Sequence, residues 1–547
     1  MGTHEVSNQP QPLEKYNLFG ADHALREAAD REGAIASFAQ LEEIGRLAGS
    51  SQAIAWGFEA NENPPKLHTH DRFGNRIDEV TFHPSYHRLL ETATSFGLHG
   101  SPWQTPPPGA HVARAAGFFL WAQVEAGHGC PISMTYAAIP VMRSQPNLSA
   151  IWEPKLTAKL YDPRLVPVAE KAGALCGMAM TEKQGGSDVR ANQSRASFDE
   201  SGSQGDVYRI TGHKWFCSAP MSDAFLTLAQ TDAGLTCFFM PRVLPDGTRN
   251  VFRIQRLKDK LGNRSNASSE IELENTYALL VGEAGQGIQT IVEMVNYTRL
   301  DCINGSAALM RQAVAQAIHH CTYRHAFGSA LRDQPLMQNV LADLALESEA
   351  ATLLLMRLAG AVDRAQSDPR EAALKRLGTA IGKFWVCKRA PIVVNEALES
   401  LGGNGYVEES ILPRLYREAP LNSIWEGSGN INALDVLRII AKQPDALAAY
   451  FSEISPALED PLLRAAADAL ATALHDNENR QSQARRLVEQ MALLWQASLL
   501  HQHSPLEVSR AFTKSRLGGD WGRTFGSLRI GAGDARAIID HAAVSPR

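Results

Sequence analysis

Apolar residues in the stretches 24–47 and 87–98 recur at spacings of three and four, the period of helices with one buried face. The turn-rich Asn61-Glu62-Asn63-Pro64-Pro65 and the cluster Pro106-Pro107-Pro108-Gly109 interrupt this helical region. From about residue 176 to 282 the period shortens. Strands are predicted at 207–211, 224–229, 235–240 and 270–274, the last alternating strictly, with turn signals at Ser201-Gly202-Ser203-Gln204-Gly205-Asp206 and Pro245-Asp246-Gly247. After residue 287 helical spacing returns, and Leu336, Val340, Leu341, Leu344, Ala351, Leu355 and Leu358 mark one buried face of a long helix. Pro444, Pro456 and Pro461 then precede further amphipathic segments. The pattern predicts a mainly α fold with a central β-domain, divided as a helical domain at 1–175, a β-domain at 176–283, a helix bundle at 284–445 and an extra C-terminal helical domain at 446–547.

Composition adds bounds to this picture. A chain of 547 residues exceeds what one core serves, and 44% hydrophobic with 20% charged residues is ordinary for globular proteins. No run is long and apolar enough to span a bilayer and the N-terminus carries no signal-peptide pattern, so a cytoplasmic location is expected. Seven scattered cysteines without a Cys-x-x-Cys pair are expected to be buried reduced thiols. A net charge of −6 argues against a molecule coated in nucleic-acid-binding surface and leaves room for a local basic face.

The candidate chemistry centres on Trp425-Glu426-Gly427-Ser428-Gly429-Asn430. A carboxylate beside Trp425 and close glycine backbone is partly desolvated, which raises its pKa toward the range of a general base. Glycines also let backbone approach a flat ligand. Taken alone, the segment reads equally as a helix start whose acid complements the dipole.

Four further segments occur in an order that resembles the acyl-CoA dehydrogenase family of flavoproteins. Met178-Ala179-Met180-Thr181-Glu182-Lys183-Gln184-Gly185-Gly186-Ser187-Asp188 is similar to the family's first signature, and Thr211-Gly212-His213-Lys214-Trp215-Phe216-Cys217-Ser218 to the strand beside its isoalloxazine. Arg324-His325-Ala326-Phe327-Gly328 with Gln334 resembles the segment that reaches a partner subunit's FAD diphosphate and adenine. Leu401-Gly402-Gly403-Asn404-Gly405-Tyr406 resembles the glycine-rich turn bordering FAD, with Glu399 in place of the usual Gln. The resemblance implies FAD as cofactor, held by Met180, Thr181, Gly186, Ser187, Phe216, Cys217, Ser218, Arg324, Phe327, Gln334, Gly402, Gly403, Trp425, Gly427, Ser428 and Asn430. It implies Glu426 as the base that removes the α-proton of an acyl-CoA while FAD accepts the β-hydrogen.

Further motifs point to one branch of that family. Leu67-His68-Thr69-His70-Asp71-Arg72-Phe73-Gly74-Asn75-Arg76, the Glu-Gly-Ser-Gly-Asn form of the catalytic segment and about 100 residues beyond it resemble the branch associated with the response to DNA alkylation. That likeness implies a homotetramer that binds double-stranded DNA without sequence preference, protects it, and retains weak acyl-CoA dehydrogenase activity. His68 and His70, read as loop residues with no third ligand, give no metal site. Residues 446–547 hold 11 basic and 11 acidic side chains, yet Arg510, Lys514, Arg516, Arg523 and Arg529 face only Asp520 in their stretch. These five, with Arg438 on the helix after Glu426, are the candidate DNA contacts, for which the alternative is an ordinary solvated basic face. The competing function is a metabolic acyl-CoA dehydrogenase oxidising a branched or medium-chain acyl-CoA, and a third is a flavin-stabilised scaffold.

Overall fold

A computed structural model describes residues 2–104, 107–476 and 478–544; Pro106 of the proline cluster lies outside them. The chain packs as two compact units. One comprises Met1–Ser51, Pro108–Val124 and Cys302–Arg547, and the other Gln52–Pro107 and Glu125–Asp301.

The second unit contains the sheet. Strand Gly205–Ser218 pairs antiparallel with Arg195–Gly202 on one side and with Ser268–Val281 on the other. Ser268–Val281 also pairs with Gly234–Pro241 and Arg253–Leu257, and Gly234–Pro241 with Ala224–Thr231. Ala224–Thr231 takes up Cys176–Ala179 in parallel and touches Arg195–Gly202, so the pairing closes on itself. Phe225, Phe238, Ile210, Ile254, Ile271 and Leu273 fill the interior. Burying each such side chain contributes roughly 1.5–3 kcal/mol, which is why the alternating positions are legible in the sequence. The predicted strands all fall inside observed ones, while Cys176–Ala179, Arg195–Gly202 and Arg253–Leu257 carry no clear period-2 signal.

This unit also corrects one sequence reading. His68 and His70 lie in strand Lys66–His70, paired with Arg76–Thr81 as a hairpin, and not in a loop. Asp71 shapes the turn by accepting from Phe73 N and Asn75 N at 2.8 and 2.9 Å. The rings of His68 and His70 meet the hydroxyls of Thr81 and Thr69, both at 3.1 Å. Among the described residues no three His, Cys, Asp or Glu side chains converge in a metal-binding group.

The first unit is helical. Pro335–Arg364 and Pro369–Ser400 are its long antiparallel pair; the former is buried almost all round through Leu341, Leu344, Leu355 and Leu358, but Leu336 of the predicted buried face lies in the first turn and is exposed. Asp368 caps the latter by accepting from Arg370 N at 2.8 Å, with Pro369 at the first turn, where its missing N–H costs nothing. Near the N-terminus, the predicted helical run splits into His23–Arg31 and Phe38–Ala48, because Gly33 turns left-handed at φ 104°. From residue 444 on, Pro444–Ile454, which runs across the predicted boundary at 445, Pro461–Leu474, Ala484–His503, Leu506–Arg516 and Ala532–Ala542 continue in the same unit. Trp385 Nε1 donates to Gln496 Oε1 at 3.0 Å, and Arg357 is held between Glu371 and Glu453 at 2.8 and 2.5 Å. All seven cysteines are buried thiols, and among the described residues no helix is long and apolar enough to cross a membrane.

Candidate active site

The residues singled out by sequence fall on both units. In the sheet unit the loop after Cys176–Ala179 carries Met180, Thr181, Gly186 and Ser187. Glu182, wholly enclosed, ties this loop down: it accepts from Lys214 Nζ at 2.8 Å and from Gln193 N at 2.6 Å. Burial opposes ionisation of Glu182, but Lys214 and the donated hydrogen bonds prevail and hold its carboxyl at about 2. The loop backbone is pinned further, since Trp215 N donates to Thr181 O at 2.8 Å and Asn192 Nδ2 to Met180 O at 3.0 Å. Gly186 is required by closeness: a Cβ there would stand 2.5 Å from Thr181 Oγ1. Gly185, Gly186, Ser187 and Asp188 are left exposed.

Strand Gly205–Ser218 presents the aromatic. Strict alternation would turn Lys214 and Phe216 to the same face, but the register against Ser268–Val281 shifts between Lys214 and Cys217. This bulge points Lys214 and Cys217 inward and leaves Trp215 and Phe216 outside, Phe216 at 49% exposure. Lys258 Nζ lies 3.4 Å from the Trp215 ring centroid and 4.8 Å from that of Phe216. Cys217 is thereby corrected: its thiol packs in the barrel core, where burial pushes its pKa up to about 12, so only its backbone can face a ligand. Ser218 is half-buried, and Ala219 follows in the left-handed region at φ 50°.

In the helical unit Trp425, Glu426, Gly427 and Ser428 form a half-buried turn before helix Gly429–Lys442. Glu426 itself has φ 58°, a conformation that costs a non-glycine residue of order 1–3 kcal/mol and that persists only where its surroundings impose it. Here Lys383, 1% exposed, donates to Trp425 O at 2.8 Å and to Gly427 O at 2.5 Å, gripping the carbonyls on both sides of Glu426. Asn432 Nδ2 adds bonds to Gly427 O at 2.6 Å and Ser428 O at 3.0 Å. Trp425 Nε1 donates to Asn422 Oδ1 at 3.0 Å. Gly429 is buried, and a Cβ there would stand 2.5 Å from Lys388 Cε, at the flexible end of that side chain.

Arg324 starts a two-by-two hairpin, His325–Ala326 with Ser329–Ala330, whose turn residues Phe327 and Gly328 have φ 52° and 87°. Two positive φ values are the signature of the tight turn matched to strand twist, and Phe327 is 99% exposed on it. Gln334 supports the hairpin from within, donating to Ala326 O at 3.1 Å and Ser329 Oγ at 2.6 Å. Gly402 and Gly403 present bare backbone: a Cβ on either would have no atom within 4 Å of it.

The basic candidates divide. In helix Leu506–Arg516, Arg510 and Lys514 are exposed one turn apart, whereas Arg516 lies about 200° round from Lys514 and faces inward. Arg516 is enclosed with Asp343 at 2.5 Å and Glu347 at 2.8 Å, its guanidinium carbon 3.8 Å from the Trp521 ring centroid. Its assignment as a DNA contact is therefore withdrawn. Arg523 is exposed, Arg529 is exposed and paired with Asp520 at 3.0 Å, and Arg438 is exposed beside Asp435 at 3.3 Å.

Sequence reasoning missed Lys383, Asn432, Asn192 and the Glu182–Lys214 pair. A signal for Lys383 exists, a lone cation inside the apolar run Ala380-Ile381-Gly382-Lys383-Phe384-Trp385-Val386-Cys387, which demands a buried partner.

A half-exposed aromatic with a hydroxyl two residues on, and a loop folded tightly on Thr181 with exposed backbone, fit a flavin dinucleotide. Family models agree: residues 177–276 match the middle domain of acyl-CoA dehydrogenases, 285–441 their C-terminal domain, and 8–163 the N-terminal domain of the adaptive response protein AidB. The chain belongs to the acyl-CoA dehydrogenase family and is an FAD-dependent oxidoreductase of that family. Within the family it is 51% identical over 457 residues to the putative acyl-CoA dehydrogenase AidB of Escherichia coli, covering 83% of this chain and 84% of that one. It is 30% identical over 447 residues to acyl-CoA dehydrogenase family member 11 of Caenorhabditis elegans, covering 78% of this chain and 71% of the relative. The structure of C. elegans ACDH-11 in complex with C11-CoA superposes with a TM-score of 0.82 at 25% identity, covering 100% of this chain and 94% of that one.

Proposed function

We propose that this protein is a DNA-associated flavoprotein of the alkylation-damage response, which binds double-stranded DNA without sequence preference, protects it, and keeps weak acyl-CoA dehydrogenase activity. The observation that carries the reading is the exposed cationic set Arg510, Lys514, Arg523 and Arg529, with Arg438, on a chain 51% identical to AidB over most of its length. Such side chains neutralise phosphates and release counterions, which gives salt-sensitive affinity. In this reading residues 446–547, together with Arg438, serve DNA, and the preceding segments bounded near 175, 283 and 445 otherwise serve the cofactor and substrate. A cytoplasmic homotetramer would multiply the patch; the exposed Phe327, Leu336, Tyr406 and Ile424 are the kind of apolar surface that association covers.

For the chemistry, Glu426 takes the α-proton of an acyl thioester, and Lys383 and Asn432 fix the backbone that aims it. Thr181, Gly186, Ser187, Phe216 and Ser218 hold the flavin portion of the cofactor, with Met180 and Cys217 contributing backbone. Arg324, Phe327 and Gln334 with Gly402 and Gly403 serve its dinucleotide half, and Trp425, Gly427, Ser428 and Asn430 border the site. When bound, FAD supplies the hydride acceptor.

A salt titration of binding to a random-sequence duplex tests the reading. Alanine at Arg438, Arg510, Lys514 and Arg523 together is expected to flatten the dependence of log K on log[salt] by about 0.9 for each phosphate no longer neutralised. Point substitutions are preferred to truncation after 445, because Glu453, Gln496 and Arg516 hold buried partners in 302–445. An unchanged slope and affinity would overturn the DNA assignment. The likeness to ACDH-11, solved with C11-CoA, favours a second reading as a metabolic dehydrogenase of a branched or medium-chain acyl-CoA. Turnover of such a thioester with no duplex binding at low salt would select it.

A further inference from the structure

The N-terminal residues before the first helix lie against the Arg324 hairpin. Asn8 adopts φ 55°, and its side chain meets a single hairpin residue twice: Oδ1 accepts from His325 N at 2.8 Å and Nδ2 donates to His325 O at 2.8 Å. The carbonyl of Asn8 accepts from the Arg324 guanidinium. Gln9 Oε1 accepts from Asn404 Nδ2 at 3.1 Å, and Gln11 O meets His319 Nε2 at 2.7 Å.

These contacts have a physical logic. A hairpin with two residues per strand is not stable alone, and this one carries Phe327 in a strained conformation at its turn. Gln334 braces it from one side. A carboxamide offers one donor and one acceptor at peptide spacing, so Asn8 acts on the other side as a strand of one residue. The bond from Arg324 to the Asn8 carbonyl uses one of five guanidinium donors and fixes the side chain, while the planar fork retains donors suited to phosphate. Through Gln9 and Asn404 the same segment touches the Gly402–Gly403 turn.

We infer that residues 8–11 form a strap that sets Arg324 and the Gly402–Gly403 turn in place for the pyrophosphate and adenosine portion of a dinucleotide, with Asn8 as a positioning residue for cofactor binding. The inference rests on the assignment of Arg324, Gly402 and Gly403 made under Proposed function.

The test uses the full-length protein. Asn8→Gly accepts φ 55° without strain, so it removes only the amide bonds. The FAD dissociation constant, read from the fluorescence of released flavin, is expected to rise about tenfold, which corresponds to about 1.4 kcal/mol. Asn8→Asp keeps the acceptor, loses the donor and is expected to fall between. The melting temperature of the FAD-free variants is expected to match that of the FAD-free parent. Wild-type FAD affinity in Asn8→Gly, with weakened affinity in Arg324→Ala, would overturn the strap while leaving the Arg324 assignment standing. Unchanged affinity in Arg324→Ala would overturn both. A drop in the FAD-free melting temperature on Asn8→Gly, with no separate loss of FAD affinity, would reduce the strap to a structural tie.

Discussion

Glu426 stands in a left-handed backbone conformation between two carbonyls gripped by one buried lysine. A side chain free to rotate about a relaxed backbone would aim a carboxylate loosely; here the turn is over-determined, so the direction of the acid is set before substrate arrives. Glu426→Gln preserves size and removes the carboxylate that is proposed as the base. It is expected to slow substrate-dependent flavin bleaching by about 10²–10⁴-fold, the usual contribution of a positioned base, while FAD remains bound. Anaerobic absorbance with an acyl-CoA reads both quantities at once, and undiminished bleaching would remove Glu426 from that role. Of this constellation, the sequence motif makes the acid and its aromatic neighbour visible. Lys383 is not visible there, because its sequence distance from Glu426 closes only when helix Pro369–Ser400 packs beside the turn.

Among the elements, the strand Gly205–Ser218 shows why alternation alone misplaces side chains. A single bulge puts Lys214 in the core against Glu182 and turns Trp215 and Phe216 outward. The buried pair is then a lock on the Thr181 loop, and its pH dependence has a definite sign. Glu182 is depressed to about 2 from an ordinary 4.5, so its contribution is complete above pH 4.5 and is lost as pH falls toward 2. Glu182→Gln leaves Lys214 buried without its counter-charge and is expected to cost about 3–5 kcal/mol at pH 7. Urea unfolding of parent and variant should show that difference shrinking between pH 4.5 and 2; a gap independent of pH would remove Glu182 as its source. The same limit of local pattern explains Arg516, where a count of basic residues cannot tell the exposed turn of Arg510 and Lys514 from the opposite face of the helix.

For the molecule as a whole, the C-terminal hundred residues share one compact unit with the helix bundle. Asp343 and Glu347 on helix Pro335–Arg364 meet Arg516, Trp521 Nε1 reaches Asp343 at 3.0 Å, and Arg389 meets Glu347 at 3.0 Å. Arg516→Ala would take the counter-charge from buried Asp343 and leave Glu347 with Arg389 alone, and is expected to cost about 3–5 kcal/mol. Thermal unfolding should therefore show a large loss, whereas alanine at the exposed Arg510 should stay within about 0.5 kcal/mol of the parent. Equal effects would contradict the burial of one and the exposure of the other.

Neighbours along the chain suffice for the helical and strand periods, the order of motifs, the glycines and the acid at 426, and through them for the fold class, the family and the flavin cofactor. Those signals are readable because burying one face of an element, or bending backbone tightly, restricts residue types locally. Which polar groups are enclosed together emerges only when the chain is folded. Lys383 under the turn of Glu426, Glu182 against Lys214, Asn8 on the hairpin of Arg324 and Arg516 among acids join residues between 32 and 317 positions apart in sequence, where no spacing rule applies. Their partners are chosen by the cost of leaving a buried donor or charge unmatched, a constraint that acts in space and leaves little trace along the chain.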